Sequence, residues 1–321
     1  MRGAVRLTRL GLCLFLVLSL NFALPRLMPG DPVLMLLGPE SVTLSQKTHE
    51  ELRKEYGLDR SLGEQFVRYW RELGAVRLGT SFHHRRDVAS LVGEHLGRTL
   101  CLLLPAVFLS TLAAALLGTL AGWRRGSPLD LAVTSLAILG YAMPAFLTAM
   151  VLLDLFSHRL GWLPLGGLAP LGGTGGSRME FMAGVLRHLA LPVAVLTAAS
   201  SAAKLLVMRG SVSAARHEPY VLYARARGVE PWRVPFVHVF RNACLPLLHL
   251  TALHLGFVVS GAVLVEVVFS INGMGSLILH AALHRDYPVL QGALLVLTLV
   301  VMGLNVLVDA VSGLLDPRVR T

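Results

Sequence analysis

The chain has 321 residues, of which 54% are apolar and only 15% are charged, a balance that excludes an ordinary soluble domain and points to the membrane. Its formal charge of +10 sits on arginines scattered between apolar runs, with no single polar face carrying interleaved aromatics. Nucleic acid is therefore not an expected partner, and basic loops at a lipid surface account for the charge. Cys13, Cys101 and Cys244 all fall in apolar stretches without CxxC spacing, so they read as small buried hydrophobes rather than as a disulfide or metal framework.

A helix needs about 20 mostly apolar residues to cross the hydrocarbon core. Six stretches meet that measure: Leu7 to Leu27, Thr99 to Trp123, Leu129 to Phe156, Leu189 to Met208, Leu245 to Phe269 and Val289 to Leu315. The first follows Arg2, Arg6 and Arg9, as a cleaved signal peptide would. Asn21-Phe22-Ala23 is a poor small-x-small cleavage site, however, and a retained helix is expected. Pro105, Pro144, Pro192 and Pro246 lie within or near the spans, which neighbouring helices can accommodate. Basic residues of the short segments set the orientation: an N-in, C-in topology gathers Arg124, Arg125 and the Arg-rich stretch Arg209 to Arg241 on the cytoplasmic side.

Between the first and second spans, residues 28–98 carry mixed charge and a helical apolar pattern through Phe66, Tyr69, Trp70 and Leu73, which predicts a small folded extracytoplasmic cap. The Gly-rich run Gly166 to Gly176 reads as an external loop. The domain reading is thus a first helix over 1–27, a cap over 28–98 and a five-helix core over 99–321. That core includes a cytoplasmic segment, 210–246, with its distinctive part between Tyr220 and Pro246.

That part opens with Tyr220-Val221-Leu222-Tyr223-Ala224-Arg225-Ala226-Arg227-Gly228 and is soon followed by Pro231. A short basic helix ending at a glycine C-cap is expected, then a turn, then a second helix along the membrane surface. Such an element could seat in a groove of a soluble partner, with Ala224 and Ala226 allowing close approach and Tyr220 and Tyr223 as anchors. It could equally be an interfacial loop attracted to anionic lipid. On pattern alone both readings stand.

The chain resembles the permeases of the peptide, opine and nickel branch of bacterial ABC importers. The likeness rests on Pro29-Gly30-Asp31-Pro32, Tyr56-Gly57-Leu58-Asp59, Leu78-Gly79-Thr80-Ser81 and Trp162-Leu163-Pro164 in the first half. It continues through Tyr220 to Gly228, Arg241-Asn242-Ala243, Glu266-Val267-Val268-Phe269-Ser270, Gly273-Met274-Gly275, Arg285-Asp286-Tyr287-Pro288-Val289 and Asp316-Pro317-Arg318-Val319-Arg320. The resemblance implies an all-α membrane protein of the type I ABC importer permease fold, a multi-pass component of the bacterial inner membrane. It implies that Tyr220, Tyr223, Ala224, Arg225, Ala226, Gly228, Arg241, Asn242 and Pro246 belong to a coupling segment read by ATP-binding subunits. The general importer signature begins Glu-Ala-Ala; here those positions are Leu222, Tyr223 and Ala224, so only the last alanine is kept. The implied partners are a second, homologous permease, two ATP-binding subunits and an extracytoplasmic substrate-binding protein, in a lipid bilayer.

No GxxxxGK[ST] sequence is present, and the only lysines are Lys47, Lys54 and Lys204, so no P-loop can form here. No cofactor is expected on this chain; ATP and Mg²⁺ belong to the partners. Without HExxH or GxSxG an enzyme is not expected, and a non-transporting sensor or scaffold lacks an output domain. Intramembrane ionisable groups are functional candidates. Glu266 is a candidate for the substrate path, while Asp154, Lys204 and Asp309 lie nearer span ends, where snorkelling lowers their cost. His249, His254, His280 and His284 complete the candidate path. Imidazole suits Ni²⁺, and by resemblance the histidine at position 254 matches nickel-type members, so nickel, bare or chelated, is the expected cargo and di- or oligopeptides the alternative. His83 and His84 read as a polar turn, and no closed metal cage is assigned.

Overall fold

The computed structural model describes residues 2–27, 50–51, 54, 59–75, 77–170 and 177–315. Pro29 to Pro32, Tyr56 to Leu58, most of the Gly-rich run and Asp316 to Arg320 fall outside the described residues, as does the side chain of Asp309. The regular secondary structure of the described residues is helical apart from a single isolated bridge between Thr80 and Asp87. They form two compact units, residues 1–97 with 276–299 and residues 98–275 with 300–321. This division places 276–299 with the N-terminal unit, where the sequence suggested one core from 99 onward.

In the first unit, α1 (Arg2–Leu27) meets α2 (Leu62–Gly74). The spacing of Phe66, Tyr69, Trp70 and Leu73 puts all four on one face of α2, and that face packs around Leu18 and Phe22 of α1. Phe15 stacks on Trp70 with centroids 5.2 Å apart, and Phe66 meets Phe22 edge-on at 5.1 Å. Such aromatic pairs contribute beyond their buried area. Ser61 starts α2 in a capping box with Glu64, which satisfies two otherwise orphaned donors.

The remaining helices are α3 (Val88–Trp123), α4 (Pro128–Ala142), α5 (Ala145–Leu153), α6 (Arg178–Ala215), α7 (Pro219–Ala226), α8 (Phe240–Val268), α9 (Met274–Leu283) and α10 (Tyr287–Leu315). Among the described residues four helices are long and apolar enough to cross a membrane: Val88–Trp123, Arg178–Ala215, Val234–His254 and Tyr287–Val308. A fifth is added if the bent pair α4 and α5 is one span; six were expected. The apolar part of α1, Gly11–Ala23, is shorter. The predicted continuous span from Leu129 to Phe156 is instead bent by 100°. Pro144 has no N–H and disfavours helical geometry in the residue before it; Met143 accordingly sits at φ −88°, ψ 123°.

Within the second unit, α6 packs against α4, α5 and α8. Gly118 and Gly122 of α3 allow α6 to approach closely: a Cβ on Gly122 would lie 2.5 Å from the Arg209 carbonyl. This is the small-xxx-small device of membrane helix pairs. Cys244 is buried, whereas Cys13 and Cys101 are exposed on the chain, contrary to the expectation that all three are internal. Apolar helix faces need no protein cover where lipid covers them.

Candidate docking and coupling site

Helix α7 starts with Pro219 at its first position, where a missing N–H costs nothing. It stops at Gly228, which takes φ +75°. The Gly228 N–H donates to the Arg225 carbonyl at 2.9 Å and the Val229 N–H to the Ala224 carbonyl at 3.2 Å, the paired bonds of a Schellman cap. Val221 and Ala224 are the buried residues of α7, and Val221 joins a core with Met208, Val212, Val234 and Val239. The opposite face is open: Leu222 is 73%, Tyr223 66% and Trp232 59% exposed.

This polarity reassigns several predicted residues. Ala224 is buried against its own chain, so its small size serves the packing of α7 instead of the approach of a partner. Tyr220 is half-buried beside the same core, while Tyr223, Ala226 and Gly228 are exposed. The Arg225 guanidinium lies 4.7 Å over the Trp123 ring, a cation–π contact. The expected second surface helix is a π turn, Val234–Val239, that runs directly into α8. Arg241, Asn242 and Pro246 are exposed in the first turns of α8; Pro246 lacks the N–H that would bond the Asn242 carbonyl.

Glu266 is fully buried, and its carboxylate turns inward. It accepts from Thr99 Oγ1 at 2.6 Å and from the Gly275 N–H at 2.9 Å, while Thr99 Oγ1 accepts the Met274 N–H at 2.7 Å. A Cβ at Gly273 would collide with this carboxylate, and one at Gly275 would lie 2.6 Å from Val263 Cα. The Glu266-to-Gly275 motif is thus a clamp that shapes the turn after α8, rather than a group facing an open path.

Lys204 is also fully buried and does not snorkel. Its Nζ donates to Ser110 Oγ at 2.8 Å and Thr111 Oγ1 at 3.1 Å. His254 of α8 is half-buried. His249 is exposed, with Nδ1 2.8 Å from the Leu245 carbonyl. Asp154 pairs with Arg159 at 2.8 Å on an exposed π turn.

The histidines of the first unit come together in a way their sequence positions do not suggest. His83 stacks on His284 with centroids 4.5 Å apart, and His84 and His280 flank that pair. Asp286 positions the turn that carries His83: its carboxylate accepts from Ser81 Oγ at 2.5 Å and from the N–H groups of Phe82 and His83 at 3.1 and 3.0 Å. Among the described residues, no group of three or more His, Cys, Asp or Glu is arranged to hold a metal.

Residues 114–321 match the family described as binding-protein-dependent transport system inner membrane component. A protein of Brucella suis biovar 1 named as a peptide permease is 36% identical over 314 residues, which cover 97% of this chain and 96% of that one. A di/tripeptide transport system permease of Pseudomonas aeruginosa is 37% identical over 329 residues, 97% of each chain. A peptide ABC transporter permease of Sinorhizobium fredii is 31% identical over 299 residues, 93% of this chain and 92% of the other. The chain therefore belongs to the binding-protein-dependent inner-membrane transport components, as a multi-pass permease of a bacterial ABC importer whose ATPase resides on separate subunits.

Proposed function

We propose that this permease forms half of the translocation pathway of a peptide importer and that α7 with its Gly228 cap is the seat of an ATP-binding subunit. The observation that carries the docking reading is the two-sidedness of α7. Val221 ties it to the chain's own core and Ala224 is buried beside it on the helix, while Leu222, Tyr223 and the nearby Trp232 stand exposed. In an N-in, C-in topology this loop is cytoplasmic, and an apolar, aromatic patch outside the bilayer is suited to a protein partner. Closure of two ATP-binding subunits would push α7, and the π turn that continues into α8 would pass that movement to the bundle. A second, homologous permease would supply the other half of the path, and a binding protein would deliver cargo.

Peptide is favoured over nickel as cargo because the relatives cited above are named for peptides. The test is uptake in a deletion strain complemented with the wild-type chain or with Leu222→Asp/Tyr223→Ala. Wild type should restore uptake of a labelled dipeptide. The double variant should reach the membrane yet lose uptake and co-purification of the ATPase, with docking weakened by about 2 kcal/mol or more, roughly thirtyfold. Normal uptake with a normally bound ATPase would refute the docking surface. Restored nickel uptake without dipeptide uptake would refute the cargo.

A further inference from the structure

The unit formed by residues 1–97 and 276–299 contains a cavity of about 200 Å³ that takes no part in the docking surface. Its lining carries three guanidinium groups, Arg26, Arg68 and Arg77, against one carboxylate, Glu72. Arg68 donates its Nε to Glu72 at 2.7 Å, so the charges of Arg26 and Arg77 remain in excess. Arg26 is held in place: Nε donates to Gln65 Oε1 at 3.0 Å, Nη1 to the Phe22 carbonyl at 2.9 Å, and the guanidinium lies 3.7 Å above the Phe22 ring. One more donor in the lining, Gln291 Nε2, is buried without a hydrogen-bond partner among the described residues. Burying a donor without an acceptor is costly. Fixed cations together with an unused donor call for an oxyanion.

We propose that this cavity binds the phosphate of an anionic phospholipid. Guanidinium forks match phosphate oxygens, and basic pockets beside membrane helices hold lipid headgroups. The source of the phosphate follows from α1. Leu12, Leu16 and Leu20, spaced four residues apart, are 60%, 57% and 61% exposed, and Leu27 beside Arg26 is 78% exposed. This apolar stripe runs along α1 toward the turn that bears Arg26, so acyl chains can lie on the helix while the headgroup enters the cavity.

The test uses the purified permease assembled with its partner subunits in detergent, titrated with phosphatidylglycerol or phosphatidylcholine and followed by native mass spectrometry. Phosphatidylglycerol should bind about tenfold more tightly than phosphatidylcholine. Arg77→Gln, at an exposed position, and Gln291→Leu, which removes one donor, should each weaken it about tenfold. Arg60→Gln, which removes a charge of the same segment outside the cavity lining, should leave binding unchanged. Equal binding of the two lipids, or equal weakening by Arg60→Gln, would overturn the proposal. So would displacement of the lipid by equimolar inorganic phosphate, which marks a free-anion site, or by a dipeptide, which marks a peptide carboxylate site. The readout is independent of transport, so its failure would leave the docking and cargo readings intact.

Discussion

Arg209 closes on Asp130 through two parallel hydrogen bonds, Nε to Oδ1 at 2.5 Å and Nη2 to Oδ2 at 2.9 Å. The pair ties α6 to the first turn of α4, where the Gly126 N–H adds a third bond to the carboxylate at 2.9 Å. Asp130 is only 5% exposed at its side chain and Arg209 26%. Removing one partner of a buried pair costs roughly 3–5 kcal/mol, and the partly open guanidinium places this one near the lower end. Asp130→Asn should therefore lower thermal stability in detergent strongly, whereas Asp130→Asn/Arg209→Gln should recover part of the loss. Additive losses would show that the two side chains act separately.

The clamp after α8 makes a steric prediction. Gly273→Ala would drive a methyl group into the Glu266 carboxylate, and Gly275→Ala would press on the Val263 backbone, whereas Gly63→Ala in α2 meets nothing within 4 Å. Overpacking a filled site costs about 1–3 kcal/mol. Both clamp variants should reduce the yield of folded chain, with Gly63→Ala neutral as judged by size-exclusion profile and melting temperature. Thr99→Val, which keeps the volume and removes the hydroxyl shared by Glu266 and the Met274 N–H, should also destabilise.

These examples show where the sequence was informative and where it was not. Local features were legible: the i, i+3, i+4, i+7 pattern of Phe66, Tyr69, Trp70 and Leu73, and the glycine that ends α7. What could not be read is pairing across the chain. Thr99 and Glu266 are 167 residues apart, and Ser110 and Lys204 are 94 apart; no periodicity links them, so Glu266 and Lys204 looked like path or interface residues. Asp130 was missed for the same reason. The Ser127-Pro128-Leu129-Asp130 run announces a helix start, but nothing near it names Arg209. Pro144 shows a further limit. A proline inside a membrane span can be tolerated or can break it, depending on how neighbouring helices pack, and here the chain bends.

Acid should loosen the start of α2. The Ser61 hydroxyl and N–H hydrogen-bond Glu64 and hold its carboxyl below the ordinary 4.5. A depressed folded-state value means that the capping interaction contributes fully above that ordinary value and fades as pH falls below it. Hydrogen exchange across 61–65, corrected for intrinsic rates, should accelerate on going from about pH 5 to about pH 3. Glu64→Ala should exchange faster throughout and lose that extra acid response. An unchanged pH profile in the variant would show that the box does not control the helix start.

The last prediction separates the two faces of α7. Gly228 sits at φ +75° with open space around the position of a Cβ, so Gly228→Val is disfavoured by backbone conformation and not by crowding, a cost of roughly 1–2 kcal/mol. That substitution should unwind the cap and misplace the exposed face, lowering ATPase co-purification without removing the chain from the membrane. Ala224→Asp places a charge at a buried position of α7. It should damage folding itself and reduce the amount of chain in the membrane. Tyr223→Ala removes an exposed ring and should leave stability unchanged while weakening the ATPase interaction. A stability scan and a pull-down on the same three preparations would distinguish them. If Tyr223→Ala destabilises the chain as much as Ala224→Asp does, the exposed face is part of the fold and not a surface for a partner.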